Sequence, residues 1–462
     1  MSTEKTTVGR IAPEVLAYTA GKDVELDRRL IEADCIGTAA HVQMLSEMPL
    51  DPALISAAEC RKVIAQLLLA MRDARRGAFE ITLADQDVHL ALERRLTERL
   101  GELGKKVHTG RSRNDQVALD LRLFAREELL NMIGEAADLS EALFRFGRKH
   151  ARLPMVGRTH MQKAMPSSVG LWAAAHGESL LDDLIVLWAA YEVNDQCPLG
   201  SAAGYGVPLP TDRQRVSDLL GFRQPVHGVL YAGNARGKVE AILLQAASQV
   251  MLTLSRLAQD LVLFTMPEFD YFQLPDGFCT GSSIMPQKNN PDVLELVRAR
   301  AARVASQADM VMGMIRSSAS GYNRDIQEAK EPFLDGLAVT RATLQILTAL
   351  VPGLVPRPDA LRAAFTPEVF ATDRALELVA KGTPFRDAYD EVKANVAALV
   401  NADPDKALAL KQHLGATAGL DFSLLVGRAR KSRREAAAKR RAIHRAFGKL
   451  LGAPYPACVA PE

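Results

Sequence analysis

Gly281-Ser282-Ser283-Ile284-Met285-Pro286-Gln287-Lys288-Asn289-Asn290-Pro291-Asp292 is the stretch on which the reading of this chain turns. It sets two hydroxyls, a lysine, a glutamine and two asparagines in one turn-rich segment. Gly281 permits a sharp approach, and Pro286 and Pro291 restrict the backbone. Helical periodicity starts at once, from Val293 to about Ala305, with Leu294, Val297, Ala301 and Val304 on one face. Asn290 is expected to cap that helix and Pro291 to take its first position. The unpaired N–H groups of the helix would then face the polar segment and, with Lys288, attract a carboxylate. From the residues alone the segment is either a well-capped helix behind a surface turn or an anion-binding loop. Its density of Ser, Lys and Asn favours the loop with a function.

Working outward, the bulk properties bound the setting. A chain of 462 residues can bury a large core and is long for one domain, so two or three are expected. Lys and Arg total 57 against 55 Asp and Glu, which excludes a nucleic-acid binder that relies on a global basic field. Cys35, Cys60, Cys197, Cys279 and Cys458 are odd in number and lack metal-ligand spacing, so reduced thiols and a cytoplasmic setting are expected. Met1 to Lys5 has no apolar core of a signal peptide, and no run of eighteen uncharged apolar residues suggests a membrane span.

The spacing of prolines gives the architecture. Residues 1–22 read as an irregular lead-in, followed by helical patterns at about 23–46, 51–76 and 86–103. Four intervals, 111–153, 167–197, 226–266 and 292–331, contain no proline and are rich in Ala, Leu, Met and Val. Lys238 to Phe264 runs 27 residues without Gly or Pro, enough for a helix of roughly 40 Å. Such lengths predict an all-α bundle or oligomer. Shorter helices are expected at about 358–364, 370–381, 385–400 and 405–413, then a basic one over 421–446 whose Arg428–Arg434 run reads as a solvated face. Met310, Met312 and Met314 read as core packing. The expected domains are 1–110, 111–357 and 358–462.

Three other polar segments interrupt this helical background. They are His108-Thr109-Gly110-Arg111-Ser112-Arg113-Asn114-Asp115-Gln116, Gly157-Arg158-Thr159-His160-Met161-Gln162-Lys163-Ala164-Met165-Pro166, and Tyr322-Asn323-Arg324-Asp325-Ile326-Gln327-Glu328-Ala329-Lys330. Together with Gly281–Asp292 they resemble the fumarase/aspartase superfamily, whose members eliminate fumarate from succinyl compounds. The first and third segments are similar to regions distinctive of its argininosuccinate lyase branch.

The resemblance implies an all-α, three-domain fold in which the central helices of four subunits join in one bundle. It also implies a homotetramer whose active sites each draw on three subunits, a small-molecule substrate, and no metal or organic cofactor. Removing a proton beside a succinyl carboxylate builds a doubly charged species, which needs preorganised donors. By resemblance these are Lys288 and Asn290, with Ser282 as the base activated by its loop, His160 as the acid and Glu295 as the partner of His160. A bare histidine is more often a structural group, and His160 stands apart through its segment. Which of Ser282 and His160 takes the proton stays open. Arg113, Asn114, Thr159 and Ser283 would hold the succinyl end, and Tyr322, Gln327 and Lys330 the amino-acid end.

Departures from the pattern bear on the amine half of the substrate. The Trp-Gly-Gly-Arg-Phe opening common in the family is missing, Met165 replaces a glutamine, and the usual Asn-Ser-Met/Leu-Asp-Ala segment reads His227-Gly228-Val229-Leu230-Tyr231-Ala232. Asp23 stands where many members have a serine that contacts the amino-acid end. An aspartate there either reads the substrate's α-ammonium or merely caps the first helix. Two rivals follow: a fumarate-forming lyase for another N-substituted aspartate, and a non-catalytic homologue of the crystallin type.

Overall fold

The computed structural model describes residues 4–6 and 9–460. Helices dominate, and the expected all-α class holds. The lead-in is more ordered than its sequence suggests: Glu4–Thr6 pairs with Gly9–Ile11, and Pro13 opens a helix running to Ala20. The first long pattern is broken. Asp23–Leu26 forms one helical turn, residues 27–29 tighten to a 3₁₀ turn, and α1 follows as Ile31–Glu47. Helix α2 (Ala57–Arg75) begins six residues later than the pattern predicts, because Ser56 and Glu59 cap each other's backbone N–H groups there. Helix α3 is Val88–Leu100, capped by Asp87.

The central elements are α4 (Arg113–Lys149), a hairpin of β1 (Pro154–Thr159) and β2 (Gln162–Ser168), α5 (Val169–Asn194), α6 (Lys238–Phe264), α7 (Asp292–Ile315) and α8 (Lys330–Leu350). The bounds of α6 are those its sequence predicts. Helix α7 stops short of the expected interval, and residues 324–329 form a 3₁₀ turn ahead of α8. After short helices comes α9 (Phe422–Leu451).

One apolar core runs through the chain, with members from Leu30 to Val459; a smaller cluster joins Val156 to residues within 365–407, and another lies within residues 375–392. Gly177 lets α5 approach α4, since a Cβ there would stand 2.5 Å from the Phe144 ring. Arg341 of α8 clamps α4 through Glu128 at 3.0 Å and Glu135 at 2.7 Å. The basic run of α9 is only partly solvated, because Arg430 and Arg433 pair with Glu141 and Asp138 of α4. Helix α6 and the segment 324–353 are long and apolar enough to cross a bilayer, but 61% and 50% of their most apolar windows are buried inside the fold. Packing, then, uses much of that apolar surface.

Helices α6 and α7 lie antiparallel: Arg298 donates to Gln259 at 2.7 Å, and Gln245 lies 3.1 Å from the Met312 sulfur. At 1.5 Å per residue α7 spans about 36 Å. Its start lies by the C-terminal end of α6, and its last residue, Ile315, lies against Gly237 just before α6. Not all apolar faces are used: Ile185 and Val186 of α5, Leu252 of α6, and Leu296 and Met310 of α7 are exposed. Met310 is therefore not core packing within one chain, while Met312 and Met314 are half-buried.

Candidate active site

The segment 281–290 is a small hairpin rather than a helix cap. Thr280 and Gly281 pair with Asn290 and Asn289, and the Asn290 amide donates to the Gly281 carbonyl at 3.4 Å. Strand pairing holds Asn290 extended, so α7 starts at Asp292 with Pro291 at its cap position and no side-chain cap. The expected roles of Asn290 as cap and Pro291 as first helical residue are thus shifted by one position. Ser282 Oγ accepts from the N–H groups of Ile284 at 3.3 Å and Met285 at 3.1 Å. Two donors on that oxygen favour its deprotonated form. Ser283 and Lys288 are exposed, and exposed Glu295 lines a cavity of about 560 Å³ with Asn289, Pro291 and Arg357.

His160 sits at the tip of the β1–β2 hairpin. Thr159 pairs with Gln162, leaving a two-residue loop in which His160 (φ 52°) and Met161 (φ 62°) are both left-handed. Such a loop matches the strand twist, yet left-handed backbone costs a non-glycine residue energy. The arrangement lifts the imidazole into solvent, with Thr159 also exposed. Arg158 holds the turn by donating to the Met161 carbonyl at 3.1 Å while lying over the Phe269 ring. No contact joins His160 to Glu295 among the described residues.

The third group surrounds the start of α4. Ser112 and Asp115 cap each other, and Asp115 also accepts from the N–H groups of Gly200 at 3.0 Å and Ala202 at 2.8 Å. Burial outweighs these donors and pushes the Asp115 carboxyl up to about 6. Arg113 donates to Asp87 at 2.6 Å, so this guanidinium arrives already paired. Arg113 and Asn114 line a cavity of about 330 Å³ with His108, Tyr322, Arg324 and Gln327. Burial, then the nearby Arg111, drive the His108 imidazole down to about 4.

Beneath that cavity lies Lys330, 1% exposed, whose ammonium donates to Asp23 at 2.8 Å and to Asp27 at 2.5 Å. Burial opposes its charge, but the two carboxylates prevail and hold its pKa above the usual value. Gln327 donates to the other Asp23 oxygen at 3.1 Å. Asp23 lies inside its helical turn, with Lys22 at the cap position and no side-chain cap bond, so the capping alternative fails. Two carboxylates against one ammonium leave this cluster net negative. In the wall of the same cavity, His89 pairs with Asp34 at 3.1 Å and stays above its usual pKa because Asp34 and Asp87 outweigh its burial.

Within one chain, Asp23, Arg113, Asn114, Tyr322, Gln327 and Lys330 come together. Ser282, Ser283, Lys288, Asn290 and Glu295 do not join them, nor do Thr159 and His160. The loop adjoins the Phe264 end of α6, as does the His160 hairpin, whose cavity includes Asp260 and Phe264. The Gln327 group lies at the Lys238 end, where Asn234 and Arg236 bond to Ser320 and Gln327. Asp27, Asp87 and Arg236 escaped the sequence reading. Asp27 had a weak signal as a marker of the first helix, while Arg236 had none.

Residues 16–306 match the family model described as lyase. The argininosuccinate lyase of Sorangium cellulosum is 43% identical over 91% of this chain and 96% of that protein. That of Xanthomonas axonopodis pv. citri is 40% identical over 90% and 95%. The chain belongs to the argininosuccinate lyase family. It is a carbon–nitrogen lyase. Solved structures agree on the fold: an EDDS lyase in complex with formate superposes with TM-score 0.79 at 24% identity, covering 96% of this chain and 95% of that one. The class II fumarase of Schistosoma mansoni gives TM-score 0.67 at 16% identity, covering 88% and 98%. Membership of the argininosuccinate lyases survives the altered 227–232 segment and Asp23.

Proposed function

We propose that this chain eliminates fumarate from 2-(N-ω-L-arginino)succinate to release L-arginine, the last step of arginine biosynthesis. The observation that carries the reading is the polar cavity at the start of α4, with Tyr322 and Gln327 at its wall and the net-negative Asp23–Lys330–Asp27 cluster beneath. A free α-amino acid brings an ammonium and a carboxylate, and this cavity offers charge of both signs. Arg113, Asn114, Thr159, Ser283 and Asn290 hold the succinyl carboxylates. Ser282 takes the proton from the carbon beside one carboxylate. The resulting electron pair forms the double bond of fumarate as the C–N bond breaks, and His160, paired with Glu295, serves the leaving nitrogen with a proton. Lys288 stabilises the doubly charged intermediate. The opposite assignment of acid and base to Ser282 and His160 uses the same groups.

A complete site in this reading needs more than one chain, because the Ser282 and Gln327 groups lie at opposite ends of a helix of about 36 Å. A homotetramer with the exposed apolar faces of α5, α6 and α7 in its centre, and three subunits at each site, supplies the missing parts. The working enzyme is read as cytoplasmic, free of metal and organic cofactors, and divided at about residues 110 and 357. Adding argininosuccinate to purified protein and following the ultraviolet absorbance of fumarate tests the activity. Absorbance that rises only with other N-succinyl amino acids would shift the function to another amine, and activity lost to a chelator would overturn the cofactor-free reading.

A further inference from the structure

The turn between residues 229–234 and α6 carries a buried arginine with no role in the proposed elimination. Arg236 is 4% exposed and donates through Nη2 to Gln327 Oε1 at 3.0 Å. Its guanidinium also lies 5.9 Å from the centroid of the Tyr322 ring. Two residues earlier, Asn234 accepts from the Gly321 N–H at 2.9 Å and donates to Ser320 Oγ at 3.3 Å. One turn thus grips the segment carrying both Tyr322 and Gln327. The turn itself is fixed: Gly237 has φ 73°, and a Cβ there would stand 2.4 Å from the Ile315 side chain.

We propose that Arg236 is a positioning residue that sets the orientation of the Gln327 amide and so the fit of the substrate's amino-acid end. A guanidinium has donors only and an ionised carboxylate accepts only. Gln327 must therefore turn its oxygen to Arg236 and its NH₂ to Asp23, as the distances of 3.0 and 3.1 Å record. The NH₂ thereby takes one Asp23 oxygen while Lys330 takes the other. Without Arg236 the oxygen end of the amide is unheld, and Gln327 and Asp23 lose their fixed relation. Burial holds the carboxyl of Glu240, one turn into α6, above its usual range, with Arg236 as the foremost group pulling it back down.

The inference rests on the assignment of Gln327 to the substrate, and a double-mutant cycle separates the two ideas. The tetrameric enzyme is compared as wild type, Arg236→Met, Gln327→Ala and the double variant, each measured for kcat and KM with argininosuccinate. Arg236→Met is expected to raise KM about tenfold with kcat changed less than about threefold, the mark of lost uniform binding. In the Gln327→Ala background the same substitution should add almost nothing. Arg236→Lys keeps the charge and one donor, so it should recover most of the KM; Arg236→Ala, with the same expected KM as the Met variant, replaces that variant if it does not fold. Full additivity of the two effects, or a wild-type KM in Arg236→Met, overturns the positioning role. If Gln327→Ala itself leaves KM unchanged, the substrate assignment fails and the inference falls with it.

Discussion

Under the proposed function, Asp23 is where a single atom-level choice would bear on substrate selection. Both its oxygens are committed, one to Lys330 and one to Gln327, and it is 8% exposed. Truncating it should loosen the grip on the ammonium end, where contacts change little as the distant C–N bond breaks. Asp23→Ala is therefore expected to raise KM for argininosuccinate about tenfold or more, with a smaller change in kcat. An unchanged KM beside a lowered melting temperature would retire the contact. His108 makes a pH prediction. Its imidazole titrates at about 4 in the folded chain and near 6.5 when unfolded. The unfolded chain thus takes the proton first, so the contribution of His108 to stability is present above pH 6.5 and lost as pH falls to about 4. Melting temperatures of wild type and His108→Asn should draw together or cross over that window, and parallel curves would refute it. These roles were only half legible. Asp23 and Lys330 stand 307 residues apart, so no local pattern could show that they form a pair.

Among the elements, the hairpin at 281–290 concentrates the chemistry. The Oγ of Ser282 already receives two backbone N–H groups. Ser282→Ala should leave fold and assembly intact and lower kcat by at least about a hundredfold, in keeping with loss of a positioned proton acceptor. Turnover near normal would remove Ser282 from that role. Sequence showed this segment plainly but misplaced the helix start, because the pairing of Thr280 with Asn290 competes with a cap at Asn290. By contrast α6 was legible to the residue, since Gly237 and the residues past Phe264 break an uninterrupted helical pattern. The β1–β2 hairpin was not. Gly157 and Pro166 weaken its strand pattern, and its turn uses His160 and Met161 rather than the glycine or asparagine that usually mark one.

At the scale of the molecule, two incomplete halves of a site on one chain make a sharp test. His160→Asn and Ser282→Ala variants, each inactive alone, should partly restore activity when their subunits are exchanged. No recovery after exchange is verified by mass would count against a shared site, as would an active monomer by light scattering. The antiparallel α6–α7 pair has one more consequence. Rigid helix connects the Ser282 hairpin to the Tyr322–Lys330 segment, and so acts as a ruler between the two groups proposed to serve the reaction. One residue inserted near Val304 would turn everything beyond it by about 100° and advance it about 1.5 Å. Neither end could correct the register, because each is already locked into its own surroundings. The short helices between 358 and 410 answer to no such gauge. Gains and losses of residues should therefore accumulate there during divergence, while the length of chain from Ser282 to Lys330 stays fixed.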